Sequence, residues 1–276
     1  MSAARRSWLT VGATAALVLS ALATALVVTD HRTPHERAAI TALEPVAERP
    51  DGHVGVVVLG TSLSRNALST HEELSAALSA AGLGEVVATN LGMSAASVES
   101  FGEVLGHVWA ASPDILVIEP GIFLGRPFEP DRSLRTRITR WFESAEPPNI
   151  NAPRCRPRSD ELLAQRLERH EPLLAADAAA LERLRAFLSE ASTHVDRIVW
   201  VVPPRSAVWS DAVDGRDLEV RRRLLDAAAD LGVAPVVPIE PPPIDHYCDF
   251  SHLDLDAARR FLETWATATA EEIGAA

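Results

Sequence analysis

The chain has no lysine at all, so every one of its 26 Lys+Arg positions is an arginine, and acidic residues outnumber them to give a net charge of −12. No dense basic patch interleaved with aromatics is present, which argues against a nucleic-acid partner. Cysteine is nearly missing too. Cys155 and Cys248 are the whole inventory, too few for a disulfide scaffold and wrongly spaced for a CxxC zinc or redox site. In an oxidising compartment the two can pair and tie the middle of the chain to the loop before Asp249; otherwise they read as small buried residues. Internal repeats are absent. With 47% hydrophobic and 23% charged residues in 276 positions, the composition supports one substantial core plus appendages.

The stretch around which the rest is organised is Val54-Gly-Val-Val-Val-Leu59, followed by Gly60-Thr-Ser-Leu63. A short β-branched run of this kind reads as a strand buried on both faces of a parallel sheet. The apolar period from Asn66 to Ala80 predicts a helix after it. Ser62 then sits on the turn from strand to helix, at the carboxyl edge where open α/β sheets bind ligands, with helix N–H groups close by for a developing oxyanion. Serine is also a favoured helix cap, so a base is required before the residue reads as a nucleophile. Asp249-Phe-Ser-His252, just ahead of a terminal amphipathic helix, supplies one. Its spacing lets the carboxylate reach one ring nitrogen while the other faces a serine, as a Ser-His-Asp triad needs. Asp254 and Asp256 read as cap and dipole groups of the helix that follows.

Gly60-Thr-Ser-Leu63 resembles the Gly-Asp-Ser-Leu block of the GDSL, or SGNH, hydrolases, and Asp249-Phe-Ser-His252 resembles their closing Asp-x-x-His block. Asn90-Leu-Gly-Met-Ser94 is similar to the second block, whose glycine gives an N–H to the oxyanion. The likeness spans roughly residues 54 to 265, with the blocks in family order. It implies a three-layer α/β/α sandwich on a mainly parallel sheet of about five strands, flavodoxin-like in topology, with Ser62, His252 and Asp249 catalytic and the N–H groups of Ser62 and Gly92 as oxyanion donors. No metal or organic cofactor is implied. Two departures stand out. Thr61 replaces the usual aspartate, and Glu119-Pro-Gly-Ile-Phe123 stands where the family commonly has Gly-x-Asn-Asp, so the asparagine that donates to the oxyanion is missing. Losing such a donor costs on the order of 10²–10³ in turnover where nothing replaces it.

Along the chain, Arg5 and Arg6 precede an uncharged apolar run from Trp8 to Val28, about the 20 residues needed to span a bilayer. Residues 1–29 are expected to be a cytoplasmic stub and transmembrane anchor with the rest extracytoplasmic; a cleaved signal peptide, with a site such as Ala21-Leu-Ala23 or Ala23-Thr-Ala25, is the alternative. Residues 30–53, broken by Pro34, Pro45 and Pro50, read as a linker, and 54–276 as the α/β domain. Within it, strands are expected at 85–89, 115–118, 197–203 and 234–239, and helices over 94–110, 159–191 (bent near Pro172), 216–231 and 255–273. An insertion at about 123–157, rich in arginine, departs from the βα rhythm and reads as a recognition loop carrying Arg126 or as a surface excursion. The loop after the fourth strand carries Arg205 and Trp209; Arg126 and Trp209 are the candidate substrate contacts. Glu119 is left without a role.

Three functions follow as expectations. The first is an extracytoplasmic serine esterase acting on an O-acylated envelope glycan or lipid. The second is an O-acetyltransferase passing an acyl group to a polysaccharide beside a membrane-bound O-acyltransferase. The third is an inactive binding or assembly module that kept the fold.

Overall fold

Val54–Leu59 (β1) forms parallel pairs on both sides, with Val86–Asn90 (β2) and with Ile115–Ile118 (β3). Ile115–Ile118 pairs in turn with Arg197–Trp200 (β4), so the four described strands run parallel in the order β2-β1-β3-β4. The computed structural model describes residues 34–93, 96–102, 104–124, 158–170, 178–231, 233 and 239–275. The expected fifth strand at 234–239 falls almost wholly outside them, as do the apolar run at 8–28 and nearly all of the insertion at 123–157. Among the described residues no helix is long and apolar enough to cross a membrane.

Alternation along the central strand builds two cores. Val57 and Leu59 face one side, with Leu116 and Ile118 of β3. Val56 and Val58 face the other, with Ile115 and Val117. Both faces are apolar because both are covered, as a parallel sheet requires. On the first face lie Pro34–Ala47 (α1), Val104–Ala110 (α4), Ala178–Ala191 (α6) and Arg216–Ala229 (α8). On the second lie Ser62–Ala67 (α2), His71–Leu78 (α3) and Leu255–Ala275 (α9). The result is the three-layer α/β/α arrangement.

Three sequence expectations need correction. The supposed linker is a helix from residue 34 onward. Ala39, Leu43 and Val46 recur at helical spacing and are buried in the first core, while Thr89 Oγ1 donates to Ala42 O. Pro34 sits at the helix start, where a missing N–H costs nothing, so the prolines mask an ordinary amphipathic element. Beyond it, Arg49 donates to the carbonyls of Val46, His53, Ala111 and Ser112 and pairs with Asp114 at 3.2 Å. Secondly, the helix predicted from Asn66 is two helices. Ser69 takes a positive φ of 55°, and Thr70 opens α3 with a capping box to Glu73, a local stop and restart that outweighs the continuous apolar period. Thirdly, of the helix expected over 94–110 the described residues show a 3₁₀ turn at Val98–Phe101, ended by Gly102 at a φ of 38°, and the short α4.

The long segment expected at 159–191 is described as Asp160–His170 (α5) and α6, with 171–177, including Pro172, outside the described residues. A third small cluster, Trp209, Val213 and Phe250 with Leu162, Leu163, Leu167 and Ile244 against it, joins α5 and Ala207–Ala212 (α7) to the loop before α9.

Candidate active site

The strand order reverses at the β1–β3 pair, and the crevice outside the carboxyl ends of those strands is where such sheets bind ligands. β1 delivers Ser62 to it and β3 delivers Glu119. Helix α2 starts immediately: Thr61 is its cap, with Oγ1 accepting from Leu63 N. Ser62 is therefore the first helical residue rather than the cap, and its hydroxyl is left for other partners. Gly60 makes the turn possible. A Cβ there would collide with Ser64 Oγ and come within 3.0 Å of Glu119 Oε2.

Ser62 Oγ lies 2.9 Å from His252 Nε2, and His252 Nδ1 lies 2.8 Å from Asp249 Oδ2. The three side chains, 190 positions apart at the extremes, thus form one hydrogen-bonded line. The Asp249 loop is locally fixed. Its Oδ1 accepts the N–H groups of Ser251 at 2.7 Å and His252 at 2.8 Å, Cys248 N donates to His252 O at 2.8 Å, and Tyr247 bridges antiparallel to Leu253. Asp254 caps α9 through Ala257 N, which separates it from the line. Ser206 Oγ, donating to Phe250 O at 2.7 Å, ties the loop after β4 to the same place.

Asp249 is buried, with 8% of its side chain exposed. Burial alone would raise its pKa, but the hydrogen bond and charge of His252 and the two loop N–H groups outweigh it. They hold the carboxyl well below the usual carboxylate range. Asp249 Oδ2 has a second donor, Arg166 Nη2 of α5 at 2.7 Å.

Glu119, unassigned from sequence, is a buried carboxylate directly beneath the serine turn. Oε2 accepts from Thr61 N at 2.7 Å and Ser64 N at 3.1 Å, and Thr61 Oγ1 donates to Oε1 at 2.7 Å. The two departures from the family pattern are consequently one contact, Thr61 bonded to Glu119. With Thr61 N and Ser64 N on Glu119 and Leu63 N on Thr61 Oγ1, the Ser62 N–H is the donor of this turn left without an acceptor among the described residues.

Gly92 does not fit the oxyanion role expected of it. Its N–H is buried and donates to Asn90 Oδ1 at 3.0 Å, and the glycine is needed because a Cβ would meet the Arg65 backbone at 2.9 Å. Residues 94–95, next along that loop, lie outside the described residues. Trp209 is also displaced from its expected role. It is fully buried, with the Arg205 guanidinium 4.9 Å above its ring, so it is core and support rather than a substrate contact. Burial, then the neighbouring Arg221, lowers the Arg205 pKa to about 10, against the pull of Asp217, Glu119 and Asp249. Arg126 lies outside the described residues. Cys248 is disulfide-bonded; Cys155, the chain's other cysteine, lies outside the described residues. No group of His, Cys, Asp and Glu among the described residues is placed to hold a metal ion.

Sequence reasoning passed over Arg166 and left Glu119 idle. Arg166 had a signal: it shares the face of α5 with Leu162, Leu163 and Leu167, a lone charge in an apolar stripe. Glu119 had one too, as a carboxylate at a buried strand end.

No family model matches the sequence, and no curated protein matches it significantly. Solved structures do. The chain is similar to a catalytic mutant of Axe2, an acetylxylan esterase from Geobacillus stearothermophilus, with a TM-score of 0.51 and 15% identity over 80% of this chain and 94% of that one. A second mutant of that esterase gives 0.50 and 15% over the same shares. A lipase/acylhydrolase from Enterococcus faecalis gives 0.48 and 14%, covering 79% and 96%. The catalytic mutants of Axe2 replace a serine, an aspartate and a histidine, the last two three positions apart in that protein. The chain has the fold of the SGNH-type hydrolases.

Proposed function

We propose that this chain is a serine esterase of SGNH type. The observation that carries the reading is the line of two short hydrogen bonds from Ser62 through His252 to Asp249 at the sheet's switch point. A serine, an aspartate and a histidine of like spacing are the mutated catalytic residues of the similar acetylxylan esterase, which supports the assignment.

In this mechanism Ser62 Oγ attacks the ester carbonyl carbon while His252 Nε2 takes its proton. Asp249 fixes the ring and stabilises the imidazolium. Negative charge gathers on the carbonyl oxygen and is met by the Ser62 N–H, the free donor at the turn. Collapse breaks the carbon–oxygen bond to the alcohol, which leaves with the proton from His252. Water then adds to the acyl-serine by the same route, releasing the carboxylic acid and restoring Ser62. If a glycan hydroxyl takes the place of water, the product is a transferred acyl group.

The proposed substrate is an O-acylated glycan or lipid of the cell envelope. The apolar run at 8–28 behind two arginines supports an anchored, extracytoplasmic domain, and an acceptor polysaccharide with a membrane-bound O-acyltransferase partner belongs to the transferase form. One observation favours the inactive module as a second reading: Glu119-Pro-Gly-Ile-Phe123, the segment that stands where the family commonly has Gly-x-Asn-Asp, holds no asparagine. Labelling with a fluorophosphonate decides between them. The esterase reading predicts one label per folded chain, abolished by Ser62→Ala; an unlabelled folded wild type, or a label that persists in the variant, overturns it.

A further inference from the structure

The carboxylate of Asp249 is saturated. Oδ1 holds two backbone N–H groups, and Oδ2 holds both His252 Nδ1 and Arg166 Nη2, at 2.8 and 2.7 Å. Four donors fill the four lone-pair directions of a carboxylate, so neither oxygen can swing away from the histidine without giving up a charge-assisted or backbone bond.

Arg166 reaches this position because its whole helix is seated on the Asp249 loop. Leu162, Leu163 and Leu167 pack against the cluster of Trp209, Val213 and Phe250, and Arg166 lies on the same face by its spacing. Just ahead of α5, Arg158 donates to Ile244 O and Tyr247 O and pairs with Asp245 at 3.4 Å. The pair is not a surface ion pair of the kind that contributes little. The side chains are 21% and 8% exposed, and the arginine's partner oxygen is the one that holds the histidine.

We infer that Arg166 is a positioning residue: from α5 it locks Asp249 Oδ2 in the orientation that holds His252 against Ser62, making the hydrogen-bonded line four residues long. The inference rests on the esterase reading. It reaches beyond that reading by making α5, the helix that follows the insertion, part of the machinery. Arg205, Arg221, Glu119 and Asp217 face the same edge but share no hydrogen bond with Asp249 among the described residues, so they cannot hold its rotamer as Arg166 does.

The test uses the full chain, with p-nitrophenyl acetate and a fluorophosphonate as probes. Arg166→Ala is expected to lower kcat for the ester and the labelling rate at Ser62 by about tenfold to a hundredfold, the scale of a misplaced catalytic group. KM is expected to change by less than about threefold, because Arg166 does not touch substrate. Guanidinium ion at sub-denaturing concentration should restore a large part of the loss, and Arg166→Lys should lie within about fivefold of wild type. A folded Arg166→Ala protein that reacts as wild type overturns the inference. So does a loss confined to KM, or one that neither guanidinium nor lysine relieves, since a merely structural role gives that pattern. If the alanine variant does not fold, Arg166→Lys decides: near-wild-type kcat upholds the inference, and a folded lysine variant more than tenfold down overturns it. A wild type not labelled at Ser62 is a different failure, that of the esterase reading.

Discussion

Ser62 keeps a free N–H because its neighbours have spent theirs on Glu119 and Thr61. That division of donors is the residue-scale content of the site, and it explains the two departures from the family pattern together. A carboxylate that the sequence lacks at position 61 is supplied from position 119, across 58 residues of chain. Removing it leaves the part-buried Thr61 N and the buried Ser64 N without this acceptor, and unpaired groups of this kind cost about 1–3 kcal/mol each when buried. Glu119→Ala is therefore expected to lose about 2–5 kcal/mol in urea unfolding, with Glu119→Gln losing less because one amide oxygen still accepts. A loss under about 0.5 kcal/mol for the alanine variant would show that the turn does not depend on this clamp. The serine, histidine and aspartate were legible because each sits in a short local pattern. Glu119 and Arg166 each left a local trace, a carboxylate at a strand end and a charge in an apolar stripe, but their partners are 58 and 83 positions away, and no local spacing names those partners.

At the scale of elements, the strands were the most legible part. Val54–Leu59 and Ile115–Ile118 are short, mostly β-branched apolar runs, and their burial on both faces is that of strands inside a parallel sheet. The helices were less so. Proline at positions 34, 45 and 50 suggested a linker, yet Ala39, Leu43 and Val46 form a buried stripe. Leu43→Ala is expected to cost about 2–5 kcal/mol, as for a fully buried leucine; a change below about 0.5 kcal/mol in chemical unfolding would restore the linker. The break at Ser69–Thr70 was hidden by an apolar period that continues through it. It rests on the capping box, so Thr70→Ala is expected to lower stability by about 1 kcal/mol, measured in the same way. A neutral result would mean that packing of Leu74 and Leu78 alone positions α3.

For the whole molecule, the topology 2-1-3-4 brings the first strand and the last loop to one rim, and two buried contacts, His71 with β2 and Asp249 in that loop, give the fold a pH signature. Burial lowers the pKa of His71, against the pull of Glu72, and its neutral Nδ1 accepts from Asn90 N at 2.9 Å. A group whose folded pKa is depressed contributes stability above its unfolded pKa and loses it as pH falls. For His71 the loss begins below its ordinary 6.5; for Asp249 it begins below 3.8. Melting temperature against pH should accordingly fall in two stages on the acid side. His71→Asn, which keeps an acceptor and does not titrate, should remove the upper stage and leave the lower. A single acid transition in wild type, or an unchanged upper stage in the variant, would contradict this.

The central claim is that Ser62 forms a covalent acyl intermediate through His252. Its most direct measurement is mass spectrometry of the protein quenched during turnover of p-nitrophenyl acetate. The account predicts one acetyl group on the peptide containing Ser62, absent from Ser62→Ala and strongly reduced in His252→Ala. An acetyl group carried elsewhere, or turnover undiminished in the Ser62 variant, would contradict it.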